Sequence, residues 1–130
     1  MRFLSTRARR GSTGVSFKSA LFEGLAPDGG LYVPERIAPW SDREIADLGS
    51  RTLVDIGIRT LQPFVRDDLD DAALGSIVGD ALNFPIPIVE VEPGVGALEL
   101  FHGPTLAFKD VGARVMARLM AALHEGGEPL

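Results

Sequence analysis

The sequence contains no cysteine. Disulfides, thiolate metal sites and a cysteine nucleophile are thereby excluded, and the composition suits a reducing cytoplasm. Basic residues are in deficit: 13 Lys and Arg stand against 18 Asp and Glu, a formal charge of -5. A protein that lives by neutralising nucleic-acid phosphates carries the opposite balance, so no nucleic-acid partner is expected. No apolar run reaches the roughly 18 residues that a membrane span needs. The first residues also lack the apolar stretch of a secretory signal, so no membrane partner is expected. The single tryptophan, Trp40, and the single tyrosine, Tyr32, are read as packing residues rather than binding platforms. What remains is a chain of 130 residues, 45% hydrophobic, with a globular composition. That length can bury a core without staples. Its 15 glycines and 9 prolines put much of it in turns and loops.

Hydrophobic spacing orders the chain. Residues 2–6 suit a short edge strand, and the basic, glycine-rich 7–14 a loop. Phe17, Ala20, Leu21 and Leu25 lay one apolar stripe along a helix over 16–25. Pro27-Asp28-Gly29-Gly30 is a turn, because proline fixes φ and glycine accepts positive φ. A brief strand follows at 31–33 and ends at Pro34. Ser41 and Glu44 have capping-box spacing at the head of a helix over 41–48, with Gly49 as its C-cap. A helix over 53–61 stops near Pro63. Leu74, Ile77, Val78, Ala81 and Leu82 share one face of a helix over 72–82, headed by Asp70 and Asp71.

Beyond Pro85 and Pro87 the character changes. A strand is predicted at 88–91, a turn at 93–96 and a second strand at 97–101. A Gly-Pro loop spans 102–107. A helix runs from about 108 to 123, with Val111, Val115, Leu119 and Ala122 aligned, and Gly126-Gly127-Glu128-Pro129 ends it. The expected organisation is a mostly helical α+β amino-terminal domain over 1–84. It runs into 85–130, the first strands and helix of an incomplete α/β domain, since one helix over two strands cannot cover both faces of a sheet.

The stretch Phe101-His102-Gly103-Pro104-Thr105-Leu106-Ala107-Phe108-Lys109-Asp110 carries the chemistry. It sets a lone lysine between an apolar loop and the first turn of a helix. An apolar wall and the positive end of a helix dipole favour the neutral amine, which condenses with carbonyls. Asp110 opposes this by favouring the ammonium. A solvated, structural lysine is the competing reading. The acids between Arg66 and Asp71 are read as capping and dipole residues rather than a metal site, so no metal is expected. Arg7, Arg9 and Arg10 either meet a phosphate or are only solvated.

That lysine stretch resembles the lysine motif of the threonine synthase family, pyridoxal-phosphate (PLP) enzymes of fold type II. A second block, Leu4-Ser5-Thr6-Arg7 and then Gly24-Leu25-Ala26-Pro27-Asp28-Gly29-Gly30-Leu31-Tyr32-Val33-Pro34, is similar to the amino-terminal signature of the same family. The two blocks lie in the family's order and span nearly the whole chain. The resemblance implies that Lys109 holds PLP covalently through its amine and then moves protons as general base. It implies conversion of O-phospho-L-homoserine and water to L-threonine and phosphate, in the cytoplasm. Phe108 and Asp110 would flank and position the cofactor-bearing lysine, and His102 and Thr105 would touch substrate or the cofactor rim, or else only brace the loop. In the family the cofactor's phosphate cradle comes from later segments. The rest of the catalytic domain is thus an expected partner, and these 130 residues alone are expected to be inactive. Two rivals stay open: a non-enzymatic interaction module docking through its uncovered apolar faces, and another fold type II lyase acting on a phosphorylated amino acid.

Overall fold

Two short antiparallel ladders, five α-helices and one 3₁₀ turn make up the elements of the computed structural model, which describes residues 1–124. The chain divides into two units, Met1–Leu74 and Gly75–Leu130. The Gly126–Pro129 stop lies outside the described residues.

In the first unit, β1 (Phe3–Ser5) pairs antiparallel with β2 (Tyr32–Pro34), Phe3 opposite Pro34 and Ser5 opposite Tyr32. Pro34 therefore sits within the strand rather than after it, on an edge where its missing N–H costs no ladder bond. Phe3 also exchanges both backbone bonds with Val15, at 2.9 Å each. Its ring lies 5.7 Å from Phe17 and 6.5 Å from Phe64, both tilted, the geometry that aromatic pairs favour. Helix α1 (Phe17–Glu23) begins where the Ser16 hydroxyl accepts the Ser19 amide at 3.0 Å. It ends at Gly24, whose φ of 69° only glycine adopts freely.

Helix α2 (Asp42–Asp47) carries the expected capping box of Ser41 and Glu44. Gly49 does not cap it. The chain instead tightens into a 3₁₀ turn, Leu48–Ser50, and Leu48 takes the C-cap position. Helix α3 (Leu53–Val65) opens on a second capping box, Thr52 with Asp55, and runs through Pro63. Proline removes one amide bond but does not forbid the next turn, and the Arg66 amide still reaches the Gln62 carbonyl at 3.1 Å.

Helix α4 (Asp71–Ala81) starts where Asp70 accepts the Ala73 amide at 2.7 Å. All five residues of its expected apolar stripe, Leu74, Ile77, Val78, Ala81 and Leu82, are buried. The acids before it each have work: Asp67 pairs with the amino terminus, Asp68 meets the Lys18 amide at 3.4 Å and Asp71 accepts from Gln62 at 2.8 Å.

In the second unit, β3 (Ile88–Glu92) and β4 (Val95–Leu98) form an antiparallel hairpin with a bulge between Glu90 and Glu92. The turn is only Pro93-Gly94, with Gly94 at φ 78°. Val95 and Gly96 thus belong to the strand, two residues earlier than their turn-like composition suggests. Helix α5 (Lys109–Leu123) buries Val115, Leu119 and Leu123, not Ala122. Steps of four keep that stripe on one side, and the larger leucine takes the covered position. Arg114 of α5 donates to the carbonyls of Asp80 and Ala81 at 2.9 and 2.8 Å and to Asn83 Oδ1 at 3.0 Å. It thereby caps the negative end of α4 with a cation. Arg118 pairs with Asp80 beside it. No described helix is long and apolar enough to cross a membrane.

Candidate functional site

The lysine stretch folds as a loop leading directly into α5. Lys109 is the first residue of the helix and is exposed, as are Leu106 and Phe108 on either side of Ala107, each 74% accessible. Among the described residues, none bonds to or pairs with the Lys109 ammonium.

Asp110 is the opposite of its neighbour. It is only 4% exposed, the one buried charged residue among those described. Its Oδ2 accepts the Thr105 amide at 2.8 Å. Burial pushes the Asp110 carboxyl up, but hydrogen bonds to it from the Thr105 amide and hydroxyl and from the Ala107 amide outweigh that, and the net position is below the ordinary carboxylate range. The carboxylate is engaged by the loop, and no ion pair joins it to Lys109 among the described residues.

Gly103 explains how the loop comes so close. A Cβ there would lie 2.5 Å from Asp110 Oδ2 and 2.6 Å from Asp110 Cβ, so no larger residue fits. Leu106 has φ 57°, the only non-glycine residue with positive φ among those described. The loop is closed by Leu106 N–H to Gly103 C=O at 3.0 Å and Asp110 N–H to Ala107 C=O at 3.0 Å. Gly103 and Leu106 were not singled out from sequence. The signal for Gly103 was its place in a Gly-Pro pair beside a carboxylate seven residues on. No composition rule marks a leucine for positive φ.

Of the other candidates, Thr105 is joined to Asp110 through its amide, while His102 is engaged elsewhere. His102 Nε2 lies 2.6 Å from Glu99 Oε2, and its ring lies 4.7 Å from that of Phe101. Phe108 occupies the N-cap position without a side-chain cap bond.

The amino-terminal block forms its own polar lock. The Ser5 hydroxyl donates to Asp28 Oδ1 at 2.6 Å, and Gly30 N–H donates to the same oxygen at 2.9 Å. Arg7 donates its amide to Ser5 Oγ at 3.1 Å and its guanidinium to Asp28 C=O at 3.0 Å. Thr6 and Leu31 exchange two further bonds. Arg7 is therefore a structural tie. Trp40, read as a packing residue, is half-buried on the wall of a cleft of about 440 Å³ that Leu48, Arg51, Ile56 and Arg59 also line.

Comparison with known proteins places these features in context. A family model described as "Threonine synthase N terminus" matches residues 2–82. The chain is 39% identical over 114 residues to threonine synthase of Escherichia coli, covering 88% of this chain and 26% of that protein. The crystal structure of that enzyme superposes with a TM-score of 0.87 at 36% identity, over 95% of this chain and 28% of the other. The PLP-bound threonine synthase of Brucella melitensis superposes at 0.88 with 35% identity, over 95% of this chain and 27% of the other. The chain thus spans about a quarter of the length of the relatives it matches.

Proposed function

The chain belongs to the threonine synthase family, and on that footing we propose that it supplies the amino-terminal domain and the lysine-bearing loop and helix of an enzyme converting O-phospho-L-homoserine and water to L-threonine and phosphate. The observation that carries this reading is Lys109, a primary amine at the first position of α5, exposed and without a partner among the described residues, on a loop whose neighbouring carboxylate is bonded elsewhere.

That donor set fits an aldehyde cofactor. A primary amine that condenses with a carbonyl must be accessible, and Lys109 is exposed with no ion-pair partner among the described residues. Leu106 and Phe108 give it an apolar rim, suited to lie against a planar ring once covered. Pyridoxal phosphate, when bound, supplies an electron sink for bonds broken at the substrate's α-carbon. Lys109 Nζ would hold the cofactor and would also serve as the base that takes up and returns the substrate's proton. Phe108 and Asp110 orient the lysine from either side. His102 and Thr105 stand on the loop that faces arriving substrate, with Glu99 fixing the imidazole of His102.

Finer parts of the reading follow. The domain boundary is placed at residue 84, with 1–84 as the amino-terminal domain and 85–130 opening the fold type II α/β domain; the family match ending at residue 82 supports it. The remainder of the catalytic domain is the partner that covers the exposed β3–β4 hairpin. The cytoplasm is the setting, because charge confines a phosphorylated amino acid to the compartment that makes it.

The test is to incubate the full-length protein with PLP, reduce with borohydride and map the labelled peptide. Label on Lys109, with phosphate released from O-phospho-L-homoserine, is the expected result. Label on another lysine overturns the assignment. Equal turnover of other phosphorylated amino acids would favour a different lyase of the same fold type.

A further inference from the structure

We infer that Asp110 is a positioning residue, whose inward-folded carboxylate clamps the loop over 103–106 and so sets where the Lys109 amine stands. The inference rests on reading Lys109 as the cofactor-bearing lysine. It adds that the two neighbours divide the work: one side chain is left free, and the other is used up in holding the backbone.

Three observations converge on the clamp. The carboxylate is buried and charged, a costly state unless it is bonded, and its bond goes to the Thr105 amide rather than to Lys109. Gly103 rests against that carboxylate so closely that a Cβ would lie 2.5 Å from Oδ2 and 2.6 Å from the Asp110 Cβ. Between these two points Leu106 holds a φ of 57°, a conformation that leucine avoids unless its surroundings impose it. The Leu106 amide bond to the Gly103 carbonyl at 3.0 Å completes the enclosure.

The clamp is tied to the amine by the start of α5. Asp110 N–H bonds to Ala107 C=O at 3.0 Å, and Val111 N–H to Phe108 C=O at 3.2 Å, so the backbone on both sides of Lys109 is fixed. No side-chain cap holds this helix start at Phe108. A shift of the loop therefore moves the lysine's Cα, and with it the reach of Nζ.

The experiment compares Asp110→Ala and Asp110→Asn with wild type in the full-length protein. Amide hydrogen exchange is read without cofactor, and borohydride-trapped PLP on Lys109 and steady-state kinetics are read with it. Asp110→Ala should speed exchange in 103–106 by about tenfold or more, the scale of one charge-assisted hydrogen bond, and leave 115–123 unchanged. Trapping at Lys109 should slow by a similar factor, and kcat should fall while KM stays within about twofold. Asp110→Asn, which still offers an oxygen to Thr105, should recover part of both. Unchanged exchange in 103–106 overturns the inference. So does exchange that rises equally in 115–123, or an Asn variant no better than Ala. If wild type itself traps no PLP on Lys109, the proposed function falls, while the exchange comparison still decides the clamp.

Discussion

A methyl group at position 30 would sit 2.1 Å from the Ser5 hydroxyl and 3.1 Å from the Arg7 amide. Serine cannot simply swing away, because its oxygen already serves Asp28 and Arg7. Gly30→Ala should therefore cost about 1–3 kcal/mol of stability, the usual penalty for overpacking, seen as a lower urea midpoint. Gly103→Ala meets the Asp110 Cβ rather than a flexible tip, and should slow PLP capture by Lys109 in the same borohydride assay. Acid reports on the same contacts. The Ser5 hydroxyl, then the Gly30 amide, hold the Asp28 carboxyl below its ordinary value of 3.8, and Asp110 is also held below it. The unfolded chain takes up these protons first as pH falls. Their stabilisation is present above pH 3.8 and is lost as pH drops from there through the folded-state values. Urea midpoints should fall in that window, and Asp28→Asn should flatten the decline. The Ser5–Asp28 lock joins the two halves of the amino-terminal block, far apart in sequence, in one contact.

Helix ends and stripes show which parts of the fold are legible from local pattern. The stripe of α4 and the box at Ser41 are encoded within one or two turns, so spacing alone exposed them. The second box, Thr52 with Asp55, uses aspartate where the usual motif has glutamate or glutamine, and went unread. Pro63 does not stop α3, which loses only one bond there. Ala122 and Leu123 both fit a helical period, and only packing chooses between them. Arg114 could not be anticipated, since its carbonyl partners on α4 lie 33 and 34 residues away. Two substitutions test the helix ends. Thr52→Ala should lose about 1 kcal/mol through the freed Asp55 amide. Arg114→Met, which keeps the stem, should lose about 2 kcal/mol by leaving the α4 carbonyls without their cation. Chemical denaturation of each variant measures both.

On the scale of the whole molecule, the hairpin stands out. Every residue of β3 is exposed, and Ile88, Val91, Val95 and Leu98 are each more than half accessible. Exposed apolar surface of this kind marks an interaction face. Produced alone, residues 1–130 should self-associate in light scattering, and Val91→Lys should reduce this, because a charge on an open strand opposes edge pairing. The same 130 residues should show no phosphate release from O-phospho-L-homoserine above a Lys109→Ala control, as they match about a quarter of each relative. The family was legible because it rests on short motifs, one of them around Lys109. The environment of that lysine was not, because Leu106's backbone and Asp110's inward turn are settled by shape rather than by residue type.

The bond from Thr105 to Asp110 spans five residues. So short a closure sacrifices little chain freedom and is made within the time of ordinary local collapse. On the proposed reading, the seat of the lysine would be set by the chain's own backbone, and a cofactor would meet a ready-made perch.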